Sequence, residues 1–148
     1  MEKILISACL VGDKAKYDGT SNKDKNPFLE QLLEKYELVP FCPEVVGGLS
    51  IPRTPSERKK DQVYNKKGEN VTKYFLEGAE KALDVCLYLG IRVAILKEAS
   101  PSCGVHEIYN GRFNNVKMPG VGVTTELLKR KGIRVISENE IEAFLNEK

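Results

Sequence analysis

Short apolar runs alternate with amphipathic stretches along this chain of 148 residues. Four of the runs have the length and the β-branched content of buried strands. They cover about Lys3 to Ala8, Glu37 to Phe41, Arg92 to Leu96 and Ile133 to Ile136. Runs that are apolar throughout are typical of parallel strands that are covered on both faces, so a buried parallel sheet is predicted.

The stretches between these runs carry apolar residues at helical spacing. One helix is predicted to follow an N-cap at Asn26 and a first helical residue at Pro27. A long helix is predicted from Thr72 to Leu89, with Gly90 as its stop. Two more are predicted, one from 121–124 to 129–131 and one after a capping box at 137–140.

Helices that alternate with buried strands predict an α/β fold, specifically a three-layer Rossmann-like sandwich with a mainly parallel sheet. Right-handed crossovers restrict the topology, and the predicted strand order is 2-1-3-4. A small hairpin is expected at 108–113, where Asn110-Gly111 is a turn signal. Residues 43–70 show no sustained period and are predicted to form an active-site loop within a single domain, 1–148.

Composition narrows the class of protein. Apolar residues make up 41% and charged residues 30%, which is ordinary for a globular chain. The net charge of +2 is too small to indicate nucleic acid or a membrane as a partner. No run approaches the roughly 20 apolar residues that span a bilayer, and Lys3 enters a strand without signal-peptide features. A cytoplasmic protein with reduced thiols is therefore expected, with a monomer as the working expectation.

Three of the four cysteines follow predicted strands. Cys9 and Cys42 come directly after the first two strands, and Cys103 lies shortly after the third. Ligands bind outside the carboxyl ends of parallel strands, so these thiols are expected to meet there as a metal or cluster site. Cys86 lies on the apolar face of the long helix and is expected to be a core residue.

Several motifs around these cysteines resemble domain-of-unknown-function family 523. The motifs are ISACLVG at 6–12 with YDG at 17–19, PFCPEVVGGL at 40–49, PR at 52–53 with NVT at 70–72, KEASPSCG at 97–104, IYNG at 108–111 and GVGVT at 120–124. The resemblance covers about residues 3 to 138, and the motifs that contain the cysteines are specific. Val11 stands where leucine is common in the family, which leaves the chemistry unchanged.

Characterised members of that family are thiouracil desulfidases with a [4Fe-4S] cluster. The resemblance implies that Cys9, Cys42 and Cys103 hold the cluster and that one iron stays open. It also implies catalytic roles for Glu44 and Ser100. The implied substrate is a small thiolated base such as 2-thiouracil, which gives uracil and hydrogen sulfide.

The chemistry of such a site is consistent with the implied desulfidase reaction. Three cysteine ligands leave one iron of the cluster without a protein thiolate, and an open metal position can act as a Lewis acid. A soft thiocarbonyl sulfur suits iron, and water can then add to the carbon with Glu44 as general base. Ser102 and Arg53 are further candidates for substrate binding, because both stand in motifs beside the proposed site.

Other interpretations of the same residues stay open. The cysteines could belong to a non-enzymatic iron–sulfur or sulfur-carrier module, which would need neither Glu44 nor a closed pocket. They could also form a structural zinc site with His106, the only histidine, although its place in a predicted hairpin favours an exposed residue. Arg53 could be a surface loop residue, and the two serines are natural turn residues.

Overall fold

A computed structural model describes residues 1–12 and 28–147 of the chain. The strands are β1 (Lys3–Ser7), β2 (Glu37–Phe41), β3 (Ser56–Lys59), β4 (Gln62–Asn65), β5 (Val93–Leu96), β6 (Glu107–Tyr109), β7 (Lys117–Pro119) and β8 (Arg134–Ser137). The α-helices are α1 (Leu29–Lys35), α2 (Pro43–Val46), α3 (Thr72–Leu89), α4 (Val123–Arg130) and α5 (Ile141–Leu145). Single 3₁₀ turns cover Ala8–Val11 and Glu138–Glu140.

Four of the strands form one parallel sheet in the order β2-β1-β5-β8. These are the four strands predicted from the apolar runs, and their order is the predicted 2-1-3-4. Ser7 at the end of β1 pairs with Phe41 at the end of β2, so the two strands finish level with each other. The carboxyl ends of β1, β2 and β5 therefore share one edge of the sheet.

Alternate side chains of the strands enter two separate cores, as strand geometry requires. Leu5, Ala94 and Val135 pack on one face with Ala82 of α3 and Leu128 of α4. On the other face, side chains of the same strands pack with residues of α1 and α5: these are Ile4, Ile6, Ile95 and Ile136 with Leu32, Ile141 and Phe144. Helices cover both faces, which confirms the predicted three-layer α/β sandwich.

Residues 43–70 contain more secondary structure than their irregular pattern predicted. The helix α2 begins the segment, and β3 and β4 form an antiparallel hairpin in it. Val63 of this hairpin is completely buried in a third apolar cluster, with Phe75 and Ala79 of α3. This secondary structure was not predicted, because short polar strands give too little periodicity to be recognised in the sequence.

The predicted hairpin after Cys103 exists, but its turn differs from the prediction. The strands β6 and β7 pair from Glu107↔Pro119 to Tyr109↔Lys117, and residues 110–116 connect them. The Asn110-Gly111 pair begins this longer loop and is not a two-residue turn. The connection carries positive φ angles at Gly111, Phe113 and Asn115.

The sequence signals for helix ends gave correct predictions wherever the structure describes the residues. The helix α3 runs from Thr72 to Leu89, as predicted, and Gly90 ends it in the left-handed conformation at φ 70°. The Ser137 hydroxyl and the Glu140 carboxylate form the predicted capping box. The predicted turn at 17–19 and N-cap at Asn26 lie outside the described residues. Within residues 1–12 and 28–147, no helix is long and apolar enough to cross a membrane.

Candidate active site

The three cysteines predicted to converge line one cavity at the carboxyl edge of the sheet. Cys9 lies in the 3₁₀ turn that follows β1, and Cys42 lies between β2 and α2. Cys103 follows β5 after a tight loop. The three strands are neighbours in the sheet, so residues far apart in sequence reach the same place. Cys86 belongs to α3 and is buried in the core, as expected.

All four cysteines are described, and all are thiols without a disulfide. Burial raises the pKa of the Cys103 thiol to about 12, although the nearby hydroxyls of Ser7 and Ser102 oppose that effect. Burial also raises the pKa of Cys42. The negative charges of Cys42 and Glu44 raise the Cys103 pKa further, which indicates that the three groups lie near one another. A positive metal centre would be needed to hold these thiols as thiolates.

Glu44 is the centre of a hydrogen-bonded network in the cavity. Its Oε2 accepts a hydrogen bond from the Ser102 hydroxyl at 2.8 Å and a longer one from Ser100 at 3.4 Å. Its Oε1 lies 3.2 Å from Nε of Arg53. Three residues predicted from the sequence thus surround the carboxylate of a fourth, Glu44, which directly follows Cys42-Pro43.

Arg53 is not a surface residue. Its side chain is 7% exposed, and that of its partner Glu44 is 14% exposed. Arg53 also donates to the carbonyl of Ser50, which holds the guanidinium against its own loop. A buried ion pair needs both members, because removal of one leaves an uncompensated charge. The alternative of a solvated loop arginine is therefore wrong, whereas contact with a substrate stays a prediction.

The two serines have different surroundings. Ser102 is 1% exposed, and its hydroxyl lies 2.9 Å from that of Ser100. Ser100 is half-buried, and its oxygen accepts the backbone N–H groups of Ser102 and Cys103 at 3.2 and 3.1 Å. A hydroxyl has one hydrogen to donate. If Ser102 donates to the Glu44 carboxylate, the hydrogen of Ser100 is directed to Ser102 or to Glu44.

Glu98 organises the loop that carries Ser100, Ser102 and Cys103. Its Oε1 accepts four backbone N–H groups, from Ala99, Val105, His106 and Glu107, at 2.6 to 3.2 Å. Burial disfavours the charged form, but these bonds outweigh burial and lower the pKa of Glu98. The loop includes Ala99 at a φ of 68°, an uncommon conformation for alanine that the network holds in place.

Two residues of the site, Glu98 and Ser7, were not predicted from the sequence. Ser7 accepts the backbone N–H of Lys97 at 2.9 Å and donates toward the Cys103 sulfur, so it ties β1 to the same loop. The available signal was position alone. Ser7 is the last residue of β1, and Glu98 comes two residues after β5, where residues reach the carboxyl edge of the sheet.

The arrangement does not resemble a single-ion site. His106 has a side chain that is 60% exposed and lies 2.6 Å from Glu140, which confirms the expected exposed histidine. Among residues 1–12 and 28–147, no three histidine, cysteine, aspartate or glutamate side chains surround one metal ion. A four-iron cluster spreads its protein ligands over different irons, so three thiols around one cavity fit that group by donor type.

The cavity around these residues has a volume of about 460 Å³. Ligand pockets usually measure about 300 to 1,000 Å³, so the space suits a small molecule. Its walls combine Glu44 and Arg53 with apolar and aromatic side chains, which include Phe41, Tyr109 and Phe113. Fold and site together define an α/β protein with a thiol-lined cavity at the switch point of a parallel sheet.

The family is shown by comparison with known proteins. The sequence profile of the 2-thiouracil desulfurase family matches residues 4–140, and the chain belongs to that family. A solved structure of the [4Fe-4S]-dependent thiouracil desulfidase TudS superimposes with a TM-score of 0.92. It is 50% identical, and the match covers 97% of this chain and 95% of that one. These findings confirm the resemblance noted from the cysteine motifs.

A second relative has no assigned activity. The uncharacterized protein YbbK of Bacillus subtilis (strain 168) is 40% identical over 152 residues, and the match covers 96% of this chain and 99% of that protein. Both relatives match this chain over nearly their whole length, so the site described above lies within the shared region.

Proposed function

We propose that this protein is a [4Fe-4S]-dependent desulfidase that removes sulfur from a thiolated pyrimidine base such as 2-thiouracil. The reaction is hydrolytic: water and the thiocarbonyl compound give the carbonyl compound and hydrogen sulfide, without net redox change. The single observation that carries the proposal is the convergence of three cysteines and the Glu44 network on one cavity. Membership of the 2-thiouracil desulfurase family supports it.

Cys9, Cys42 and Cys103 would hold the cluster, because they are the three thiols that line the cavity. Thiolates are the usual protein ligands of iron–sulfur clusters, and three of them match a cluster with one open iron. When bound, the cluster supplies a Lewis-acidic iron position for the soft sulfur of the substrate.

Glu44 acts as the general base in this proposal. Its Oε2 accepts a proton from the attacking water and returns it to the departing sulfur. Arg53 keeps the carboxylate in one orientation through Oε1, which leaves Oε2 directed toward the serines. The expected contribution of a well-placed general base is about 10² to 10⁴ in rate.

Ser100 and Ser102 extend this network toward the substrate. The half-buried Ser100 hydroxyl is the member available to a water or a substrate oxygen, and Ser102 lies between it and Glu44. A proton can therefore pass from Ser100 through Ser102 to Oε2 of Glu44. Contact of Arg53 or Ser102 with the substrate itself is also part of the proposal.

The cavity supports an enzyme over a non-enzymatic carrier, because a carrier needs neither a substrate-sized space nor a carboxylate in it. Residues of the segment 43–70, among them Glu44, Arg53 and Glu57, form part of its wall, which supports an active-site role for that segment. We further propose a cytoplasmic, monomeric, single-domain protein whose partner is the small thiolated base and neither nucleic acid nor a membrane.

Anaerobic reconstitution with iron and sulfide, followed by a sulfide-release assay on 2-thiouracil, tests the proposal. The loaded protein should contain equal amounts of iron and inorganic sulfide and should form uracil and hydrogen sulfide in equal amounts. The variant Glu44→Gln should keep the visible absorbance of the cluster. Its turnover rate should be about 10²- to 10⁴-fold lower than that of the wild type. Glu80→Gln, on the exposed face of α3, is the matched control and should behave as the wild type.

A fully loaded protein that releases no sulfide from any thiolated base would refute the proposed activity. Undiminished turnover by Glu44→Gln would remove Glu44 from the mechanism while leaving the activity intact.

A further inference from the structure

The loop between β6 and β7 forms part of the cavity wall and is held in an uncommon conformation. Phe113 and Asn115 of this loop line the cavity, as does Tyr109 at the end of β6. Phe113 has a φ angle of 54°, in the left-handed region that bulky residues rarely adopt. Backbone outliers that the surrounding structure holds in place concentrate at functional sites, and Phe113 lies at the cavity.

Glu57 of β3 holds this loop in place. Its Oε1 accepts the backbone N–H of Gly111 at 2.9 Å and that of Phe113 at 3.1 Å. The loop also packs closely on β3: a Cβ added at Gly111 would lie 3.1 Å from Cβ of Lys59 and 3.2 Å from the carbonyl oxygen of Arg58. The position of the Phe113 backbone is therefore determined by contacts on both sides.

The Phe113 side chain is not part of the protein's cores. It is half-buried, and it belongs to none of the three apolar clusters formed by residues 1–12 and 28–147. An aromatic ring that is held at a cavity and does not pack into a core is available to a ligand. A planar heterocycle offers a π-face to such a ring, and base–aromatic stacking is tolerant of the substituents on the base.

We infer that Phe113 is a specificity-determining residue that stacks on the planar ring of the substrate, with Glu57 as the positioning residue of its loop. This inference rests on the proposed desulfidase function, and it gives a physical reason why the substrate is a flat, cyclic thiocarbonyl compound. Acyclic thioamides present no ring to Phe113 and gain nothing from it. Tyr109 lines the same wall of the cavity, so one face of the substrate ring lies against the β6–β7 hairpin.

The test compares Phe113→Leu, which keeps an apolar side chain without a π-face, with Phe113→Tyr, which keeps the ring. Uracil binding to the cluster-loaded protein is measured by anaerobic titration calorimetry, and steady-state kinetics are measured with 2-thiouracil and with acyclic thiourea. In Phe113→Leu, the dissociation constant for uracil and the Michaelis constant for thiouracil should both rise about tenfold, with little change in kcat. The kcat/KM of this variant for thiourea should stay at the wild-type value, and Phe113→Tyr should restore ring binding.

Two further variants test the loop and the specificity of the effect. Glu57→Ala removes the acceptor of both backbone N–H groups and should raise the same two constants while the cluster absorbance stays unchanged. Tyr88→Leu is the matched control, because Tyr88 is 89% exposed on α3. It should bind uracil as the wild type does.

The outcomes separate the inference from the function it rests on. If both constants in Phe113→Leu keep their wild-type values while sulfide is released from thiouracil, the inference is overturned and the proposed function stands. Weakened uracil binding in Phe113→Leu, in a protein that releases no sulfide, would support the inference and refute the function. Equal losses for thiouracil and thiourea would show a general disturbance of the site and would also overturn the inference.

Discussion

Single side chains determine how the Glu44 carboxylate is presented. One of its oxygens is held by Arg53 and the other by Ser102, so each oxygen has its own partner. Hydrogen bonds to charged groups are stronger than those between neutral groups, and an acid that is held on both sides loses little entropy when it reacts. Ser102 and Ser100 belong to one sequence motif but differ in their contact with Glu44, at 2.8 and 3.4 Å, so we expect them to have different roles.

The buried Ser102 hydroxyl is expected to act chiefly on Glu44, so the contact with the substrate that is also proposed for it should contribute little to substrate binding. Ser102→Ala removes the 2.8 Å bond to Oε2 and should lower kcat about ten- to a hundredfold, because bonds to charged groups contribute about 1.5–3 kcal/mol. The Michaelis constant for the substrate should change little. Steady-state kinetics of the loaded protein check this, with Ser50→Ala in an exposed loop as control. A raised Michaelis constant with unchanged kcat would instead indicate direct substrate contact.

Glu98 is expected to make stability depend on pH. Its pKa is lowered in the folded state, so its stabilisation is complete above the ordinary value of 4.5 and is lost as the pH falls through the folded pKa. Glu98→Gln should lower the free energy of unfolding by about 1–3 kcal/mol at neutral pH, since a neutral amide is a weaker acceptor.

The difference in the free energy of unfolding between Glu98→Gln and the wild type should shrink as the pH falls below 4.5. It should vanish once the wild-type carboxyl is protonated. Urea unfolding of the unloaded protein at each pH provides the measurement. Glu80→Gln serves as control, and a gap that stays constant through the acid range would contradict the assigned role.

At the scale of elements, two helices approach each other backbone to backbone. A Cβ added at Gly78 of α3 would lie 1.9 Å from the Pro43 carbonyl oxygen, and one added at Gly47 would lie 2.0 Å from that of Tyr74. The short helix α2 can therefore rest directly on α3. Because Pro43 lies between Cys42 and Glu44, this contact places a predicted cluster ligand and the predicted base together.

Gly78→Ala tests whether that close approach positions the site. Helix propensity alone favours alanine by about 1 kcal/mol, whereas overpacking against Pro43 costs about 1–3 kcal/mol. We expect the steric effect to dominate: the melting temperature should fall, and both iron loading and sulfide release should decrease.

Glu80→Ala, two residues along on the exposed face of α3, controls for changes in helix propensity and should alter stability by less than about 0.5 kcal/mol. Full iron loading and full turnover in Gly78→Ala would show that α2 can move without cost.

At the scale of the whole molecule, the parallel sheet gathers thiols from three distant segments. Cys9, Cys42 and Cys103 lie on connections that leave three adjacent strands, so a group bound to all three joins the N-terminal and central parts of the chain. A ligand that binds only the folded state stabilises it by mass action. Cluster loading is therefore expected to be coupled to global stability.

Removal of the cluster should lower the melting temperature by several degrees relative to the loaded protein. In Cys103→Ser this difference should be largely lost, together with the bound iron and sulfide. In Cys86→Ala the difference should persist, because Cys86 is a core residue away from the cavity. Anaerobic thermal unfolding with iron analysis measures both quantities. Equal iron loss in the two variants would refute the ligand assignment.

The accuracy of prediction differs between parts of the chain for local reasons. The strand Glu37–Phe41 and the helix Thr72–Leu89 were predicted to the residue, because period and stop signals lie within them. The β3–β4 hairpin was missed. Its Arg58 is held by the Val121 carbonyl and by Glu126, more than 60 positions away, and no local pattern contains such partners.

The sequence by itself determined the buried sheet, its strand order and the meeting of three thiols, because apolar periodicity and chain connectivity leave few alternatives. Only the tertiary structure decided which groups surround the carboxylate of Glu44, that Glu98 holds the loop that carries Cys103, and that Phe113 lies at the cavity. These are contacts between side chains and distant backbone. Such contacts form only when the layers of the fold pack together.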